Sequence, residues 1–245
     1  MKVEQYASWS PRLSQEMTLR VYGDAGKPVL VFPSQGGRFF EYEDFGMVEV
    51  CRPFVEEGRI SLVTVDSVDG QSWTNQAIPP AERALRHNAY EAYVVNEVVP
   101  FARSRFPDAE TLLTSGCSMG AYHAANFFFR HPDFFDGVIA LSGLYQLSLF
   151  IGDYMDENVY FNSPLSYLPS LEDPWYLERY RRSRIFVCTG QGAWEEDMVR
   201  DTRALEAILR DKGIPARVDF WGEDVAHDWP WWRRQMPHFL SRIGV

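Results

Sequence analysis

One serine, three carboxylates and one histidine occur in an order that suits acyl chemistry. Ser118 lies in Gly116-Cys117-Ser118-Met119-Gly120, Glu195-Glu196-Asp197 follow, and His227 comes last. A Gly-x-Ser-x-Gly pentapeptide between a strand and a helix is a nucleophile elbow. The serine there sits on a strained turn, and small residues two positions away let strand and helix approach. Gly116 and Gly120 supply that space, with Ala121 behind them. The Met119 N–H then falls at a helix N-terminus, where it can donate to a developing oxyanion. The alternative is an ordinary glycine-flanked turn; the strand before the pentapeptide and the small-residue segment after it argue for chemistry.

A serine hydroxyl needs a base. The five histidines are His87, His123, His131, His227 and His238. His87 falls in a long helix on the wrong side of the serine. His123 is on the elbow helix and points off the reactive face. His131 ends that helix, and His238 lies in the terminal helix. His227 alone follows a strand end within a loop, so it is the candidate base. The acid should follow the preceding strand, and Glu195, Glu196 and Asp197 are all in reach there. Charges in a first helical turn also favour the helix dipole, so one of the three serves the histidine while the others mark the helix start. Glu196 is favoured, ahead of Glu195 and Asp197. A second oxyanion donor belongs to the loop after an early strand. Pro33-Ser34-Gln35-Gly36-Gly37 fills that place, with the Gln35 N–H as the donor and Gly36 and Gly37 allowing backbone to approach substrate.

The elements that must hold these residues are legible as short apolar runs ending in turn residues. They are Val29–Phe32, Ile60–Val65, Thr111–Thr114, Gly137–Leu141, Arg184–Thr189 and Arg217–Trp221. Such runs are the mark of strands buried on both faces. Helical spacing covers Ala81–Phe106, Ala121–Phe129, Glu195–Lys212 with Gly213 as a C-cap, and about Trp231–Ile243. Alternating strands and helices predict an α/β class with a mainly parallel sheet, and Met17–Tyr22 suggests an antiparallel edge hairpin. Leu144–Ser183 shows no clear strand and reads as a cap-like insertion in one domain spanning 1–245.

Composition narrows the functions. The net charge is −10, against a binder of nucleic acid. Three cysteines do not make a disulfide framework. No secretory h-region and no membrane-length apolar run are present, so a cytoplasmic setting is expected. No metal-ligating motif appears, and the chemistry calls for no cofactor. Cys117 reads as a small core residue.

These residues resemble the esterase D-type "putative esterase" branch of the α/β-hydrolases, which includes S-formylglutathione hydrolases, enterochelin and feruloyl esterases, and mycolyltransferases. The resemblance covers most of the chain. It rests on Gly116-Cys-Ser-Met-Gly-Ala121, Asp69-Gly-Gln-Ser-Trp-Thr-Asn75, Asn96-Glu-Val-Val-Pro100 and His227-Asp228-Trp229 with Trp232. It implies an α/β-hydrolase fold, a Ser118, His227 and Glu196 triad, and Gln35 and Met119 as oxyanion donors. Ala193-Trp194 departs from the branch's usual spacing before the acid, and Pro-Ser-Gln-Gly-Gly departs from its oxyanion loop.

The expected activity is a serine esterase cleaving a small carboxylic ester through an acyl-enzyme, with neither nucleic acid nor membrane as partner. An acyltransferase using the same intermediate, or a non-catalytic binding scaffold of this fold, are the alternatives. Trp73, Tyr154, Tyr160, Phe161, Trp194 and Trp229 are expected near the site as an aromatic wall, Trp73 and Trp229 as substrate contacts. Arg38, Glu41 and Glu43, beyond the oxyanion loop, are further candidates for binding substrate.

Overall fold

Strands that are apolar on both sides form the middle of the molecule. The structure, a computed structural model, describes residues 1–244. Its single sheet has the strand order β1-β2-β4-β3-β5-β6-β7-β8. The strands β1 (Val3–Ser10) and β2 (Gln15–Tyr22) form an antiparallel hairpin at one edge. The other six are parallel: β3 (Lys27–Phe32), β4 (Ile60–Val65), β5 (Leu112–Cys117), β6 (Phe135–Leu141), β7 (Arg184–Thr189) and β8 (Arg217–Phe220). The α/β-hydrolase class read from the sequence is the observed one.

Period-two alternation splits the core between the two sheet faces. On β3, Leu30 and Phe32 face one side while Val29 and Val31 face the other. The first side is covered by α3 (Pro80–Tyr93), α4 (Val99–Arg105), α5 (Met119–Arg130) and α10 (Glu196–Asp211), through Tyr90, Ala102, Phe127 and Leu205. The second is covered by α2 (Met47–Glu56) and α11 (Trp229–Leu240), through Val48, Cys51, Trp232 and Phe239. Full burial of a side chain the size of Val48, Leu205 or Phe239 contributes roughly 1.5–3 kcal/mol.

The structure departs from the sequence reading in three places. The helix α2 was not expected: Pro53 interrupts its pattern, yet Met47, Val48, Cys51 and Val55 bury one side. The long helix expected over 81–106 is divided by a π-helical turn at Val94–Val98, which shifts the buried face between α3 and α4. The 144–183 segment holds four short helices, α6 (Ser148–Ile151), α7 (Glu157–Tyr160), α8 (Pro164–Tyr167) and α9 (Pro174–Arg182). These pack on α3, α5, α10 and β6. A first short helix, α1 (Glu41–Asp44), follows the β3 loop. Among the described residues no helix is long and apolar enough to cross a membrane.

Register sets the stage for the site. Phe32 at the end of β3 lies opposite Gly116 on β5, and Cys117 lies opposite Leu141 on β6. The chain leaves β3 toward β4 on one side, while β5 and β6 build the other. The crevice where connections diverge is where α/β sheets bind ligands.

Candidate active site

Ser118 caps α5 with φ 56° and ψ −121°, a conformation an L-residue adopts only under constraint. Its N–H donates to the Leu141 carbonyl at 2.9 Å, and its carbonyl accepts from Ala121 and Tyr122. The two flanking glycines are sterically required. A Cβ on Gly116 would overlap the backbone of Gly120, and one on Gly120 would overlap the Phe32 carbonyl. Strand, elbow and neighbouring strand therefore meet backbone to backbone, and the Ser118 side chain is left at the sheet edge.

His227 Nε2 lies 2.9 Å from Ser118 Oγ. The loop carrying it is tied down by its own N–H, which donates to the Ala193 carbonyl at 3.0 Å. The Trp232 ring meets the imidazole edge-on, with centroids 4.9 Å apart. On the far side, Nδ1 is 3.4 Å from Glu195 Oε2. That approach is longer than a normal hydrogen bond, and among the described residues Nδ1 has no other partner; such contacts tighten when substrate charge develops.

The structure corrects the choice of acid. Glu196, favoured from the sequence, is exposed in the first turn of α10. Glu195, one residue earlier, is fully buried and faces the histidine. Its Oε1 accepts from Ser142 Oγ at 2.5 Å and from the Gly190 N–H at 3.3 Å, and its Oε2 accepts from Thr189 Oγ1 at 2.9 Å. Ser142 Oγ accepts in turn from Trp232 Nε1 at 3.0 Å. The one-residue shift follows from Trp194, whose φ of 68° reverses the chain just before the acid. Asp197 pairs with Arg200 on the helix surface. Ser142 and Thr189 were read from sequence only as strand ends, and Trp232 only as part of the segment around His227; none was given a role toward the acid.

The two N–H groups expected as oxyanion donors lie at the end of β3 and the start of α5, beside the β3–β5 crevice. Met119 is the first residue of α5, so its N–H has no intrahelical partner. Ser34 to Gly37 form a β-turn closed by the Gly37 N–H on the Ser34 carbonyl at 2.9 Å. Gly36, at φ 75°, takes the position such a turn reserves for glycine. The Gln35 N–H belongs to the turn's second residue, which the turn itself leaves unbonded.

The aromatic wall is largely a support. Trp73 is fully buried against Met119, Tyr122 and His87, so it offers substrate no face. Trp229 stacks on Phe45 at 4.6 Å and is also buried. Both rings gain more by burial than by exposure. Tyr160 and Phe161 lie elsewhere, in a cleft of about 550 Å³ with Arg130 and Trp175 at the far end of α5. Trp194 is 80 % exposed beside Glu195, and Tyr154 is also exposed. Arg38 and Glu43 are committed to Asp66 and to Arg20 with Tyr22. Cys117 is buried beside the Tyr42 hydroxyl at 3.7 Å, and burial holds its thiol well above the usual range; it is no nucleophile.

The family model described as "Putative esterase" matches residues 10–243. The chain belongs to this family of esterases. The esterase is similar in structure to a ferulic acid esterase, with 19% identity, 99% of this chain and 98% of that chain covered, and a TM-score of 0.77. It is similar to an S-formylglutathione hydrolase from Agrobacterium tumefaciens, with 15% identity, 99% and 95% coverage and a TM-score of 0.76. It is also similar to MPT51 of Mycobacterium tuberculosis, with 14% identity, 99% and 98% coverage and a TM-score of 0.74. At these identities the likeness is one of fold. No curated protein matches the chain.

Proposed function

We propose that the esterase hydrolyses a small carboxylic ester through an acyl-enzyme on Ser118. The observation that carries this reading is the 2.9 Å approach of His227 Nε2 to Ser118 Oγ, with the buried Glu195 on the opposite ring nitrogen. His227 takes the Ser118 proton as Oγ attacks the ester carbonyl. The Gln35 and Met119 N–H groups stabilise the tetrahedral oxyanion. His227 then returns the proton to the leaving alkoxide, and Glu195 steadies the imidazolium between the two transfers. Water, activated by the same histidine, attacks the acyl-enzyme and releases the acid. Gln35, Gly36 and Trp194 are solvent-exposed, so the site is open to water as the acceptor. The ferulic acid esterase and the S-formylglutathione hydrolase of similar fold agree with acyl chemistry at this site.

The test is turnover of a p-nitrophenyl acetate to butyrate series by wild type and Ser118→Ala, with fluorophosphonate labelling in parallel. Wild type is expected to turn over and to be labelled at Ser118, and the variant to lose both by roughly 10³-fold or more. Equal rates in the two proteins, or no label on Ser118, would reject the reading.

A further inference from the structure

Glu41 is a buried carboxylate that the triad does not use. It is 7% exposed, and the charges acting on it are those of the carboxylates Asp44 and Asp69. Its partners are both on one residue: Oε2 accepts the Ser34 N–H at 2.7 Å, and Oε1 accepts the Ser34 hydroxyl at 2.5 Å. Ser34 is the first residue of the oxyanion turn. Its carbonyl is held as well, by the Gly37 N–H at 2.9 Å. Every polar group of Ser34 is thus engaged. The peptide unit that carries the Gln35 N–H begins at the Ser34 carbonyl, so fixing Ser34 fixes the direction of that N–H. The carboxylate also packs flush against Gly37, where a Cβ would overlap Oε1. The turn has no room to rotate on that side.

Such a group is costly. Burial raises the Glu41 pKa, the Ser34 donors pull it back only in part, and Asp44 and Asp69 add to the rise. A buried carboxylate without a cation destabilises a fold unless its hydrogen bonds are complete. The sequence suggested a substrate contact for Glu41; its burial under the turn argues against that.

We infer that Glu41 is a positioning residue of the oxyanion hole, holding the Ser34–Gly37 turn so that the Gln35 N–H points at the developing oxyanion. The inference rests on the esterase reading above. Oxyanion stabilisation operates in both acylation and deacylation and is felt only in the transition states. Loosening the turn should therefore lower kcat and kcat/KM together and leave KM nearly unchanged.

The experiment compares wild type, Glu41→Ala, Glu41→Gln and Ser34→Ala on p-nitrophenyl acetate, with thermal melting of each. Glu41→Ala is expected to lose about 10–100-fold in kcat, less than deleting a donor outright. Glu41→Gln is expected to stay within about 3-fold of wild type, because its carbonyl can accept the Ser34 N–H while its amide donates to Ser34 Oγ. Ser34→Ala, which leaves Glu41 in place, is expected to lose about 3–10-fold, and it decides the matter if Glu41→Ala does not fold. An unchanged kcat in a folded Glu41→Ala or Ser34→Ala variant overturns the inference while the esterase reading stands. So does a Glu41→Gln variant as impaired as the alanine one, or a loss confined to KM. Wild-type protein that neither turns over the ester nor takes up fluorophosphonate sinks the esterase reading itself, and the inference with it.

Discussion

Glu195 and Glu196 carry the same carboxylate and meet opposite surroundings. Glu195 is enclosed by Ser142, Thr189 and Gly190 and turned toward His227, whereas Glu196 is in water. Glu195→Gln keeps the shape but removes the charge that steadies the imidazolium, so kcat for p-nitrophenyl acetate should fall by roughly 10²–10⁴-fold. Glu196→Gln should change it by no more than about 2-fold, since surface substitutions away from special features act weakly. The opposite ranking of the two variants would return the acid's role to Glu196. Residue type and chain order narrowed the acid to three neighbours. Choosing among them depends on the backbone reversal at Trp194, which no periodicity announces.

Strand β5, the elbow and α5 form one element in which backbone spacing does the positioning. Its glycines were legible as a steric requirement, and the structure supplies the obstacle: the Phe32 carbonyl at the end of β3. Gly120→Ala must push α5 away from β3 or move the β3 loop. We expect a loss of about 2–4 kcal/mol in denaturant unfolding, as for other overpacked sites, with esterase activity reduced in whatever folds. A Gly120→Ala protein with wild-type stability would mean that strand and helix can separate at no cost. The parallel strands were readable because they are buried on both faces. The helix α2 was hidden by Pro53, and three of the insertion's helices, α6, α7 and α8, by having about one turn each in which to show a period.

Across the whole molecule, the histidines set apart from catalysis affect stability. His87 is fully buried and stacked on His123 at 5.4 Å, and among the described residues neither ring nitrogen makes a hydrogen bond of normal geometry. His123 is held by Asp69 at 2.8 Å. Burial, then the charges of His123 and Arg130, keep the His87 pKa well below 6.5. In the unfolded chain His87 takes up a proton as pH falls through about 6.5, while the folded protein resists it. Stability is therefore intact above that value and is lost below it, by up to about 1.4 kcal/mol per pH unit. Replacing His87 by Phe keeps an aromatic ring in the stack and removes the titration. The stability difference between pH 7 and pH 5, from denaturant melts at each pH, should shrink by on the order of 1–2 kcal/mol. If the variant and wild type lose the same amount, His87 is not the source.

By itself the sequence determined the α/β class and most of the strands, and it pointed to the elbow serine and to His227, because each depends on local composition or chain order. Buried strands must be apolar, an elbow needs small neighbours, and a base must follow a strand end. Tertiary structure alone decided which glutamate meets the histidine, that Trp73 is core, and that Glu41 lies beneath the oxyanion turn. Those facts depend on which groups are removed from water together. Residues 142, 195 and 232 become neighbours only when the sheet brings its strand ends to one edge, while 34 and 41 meet where the loop after β3 folds onto the start of α1.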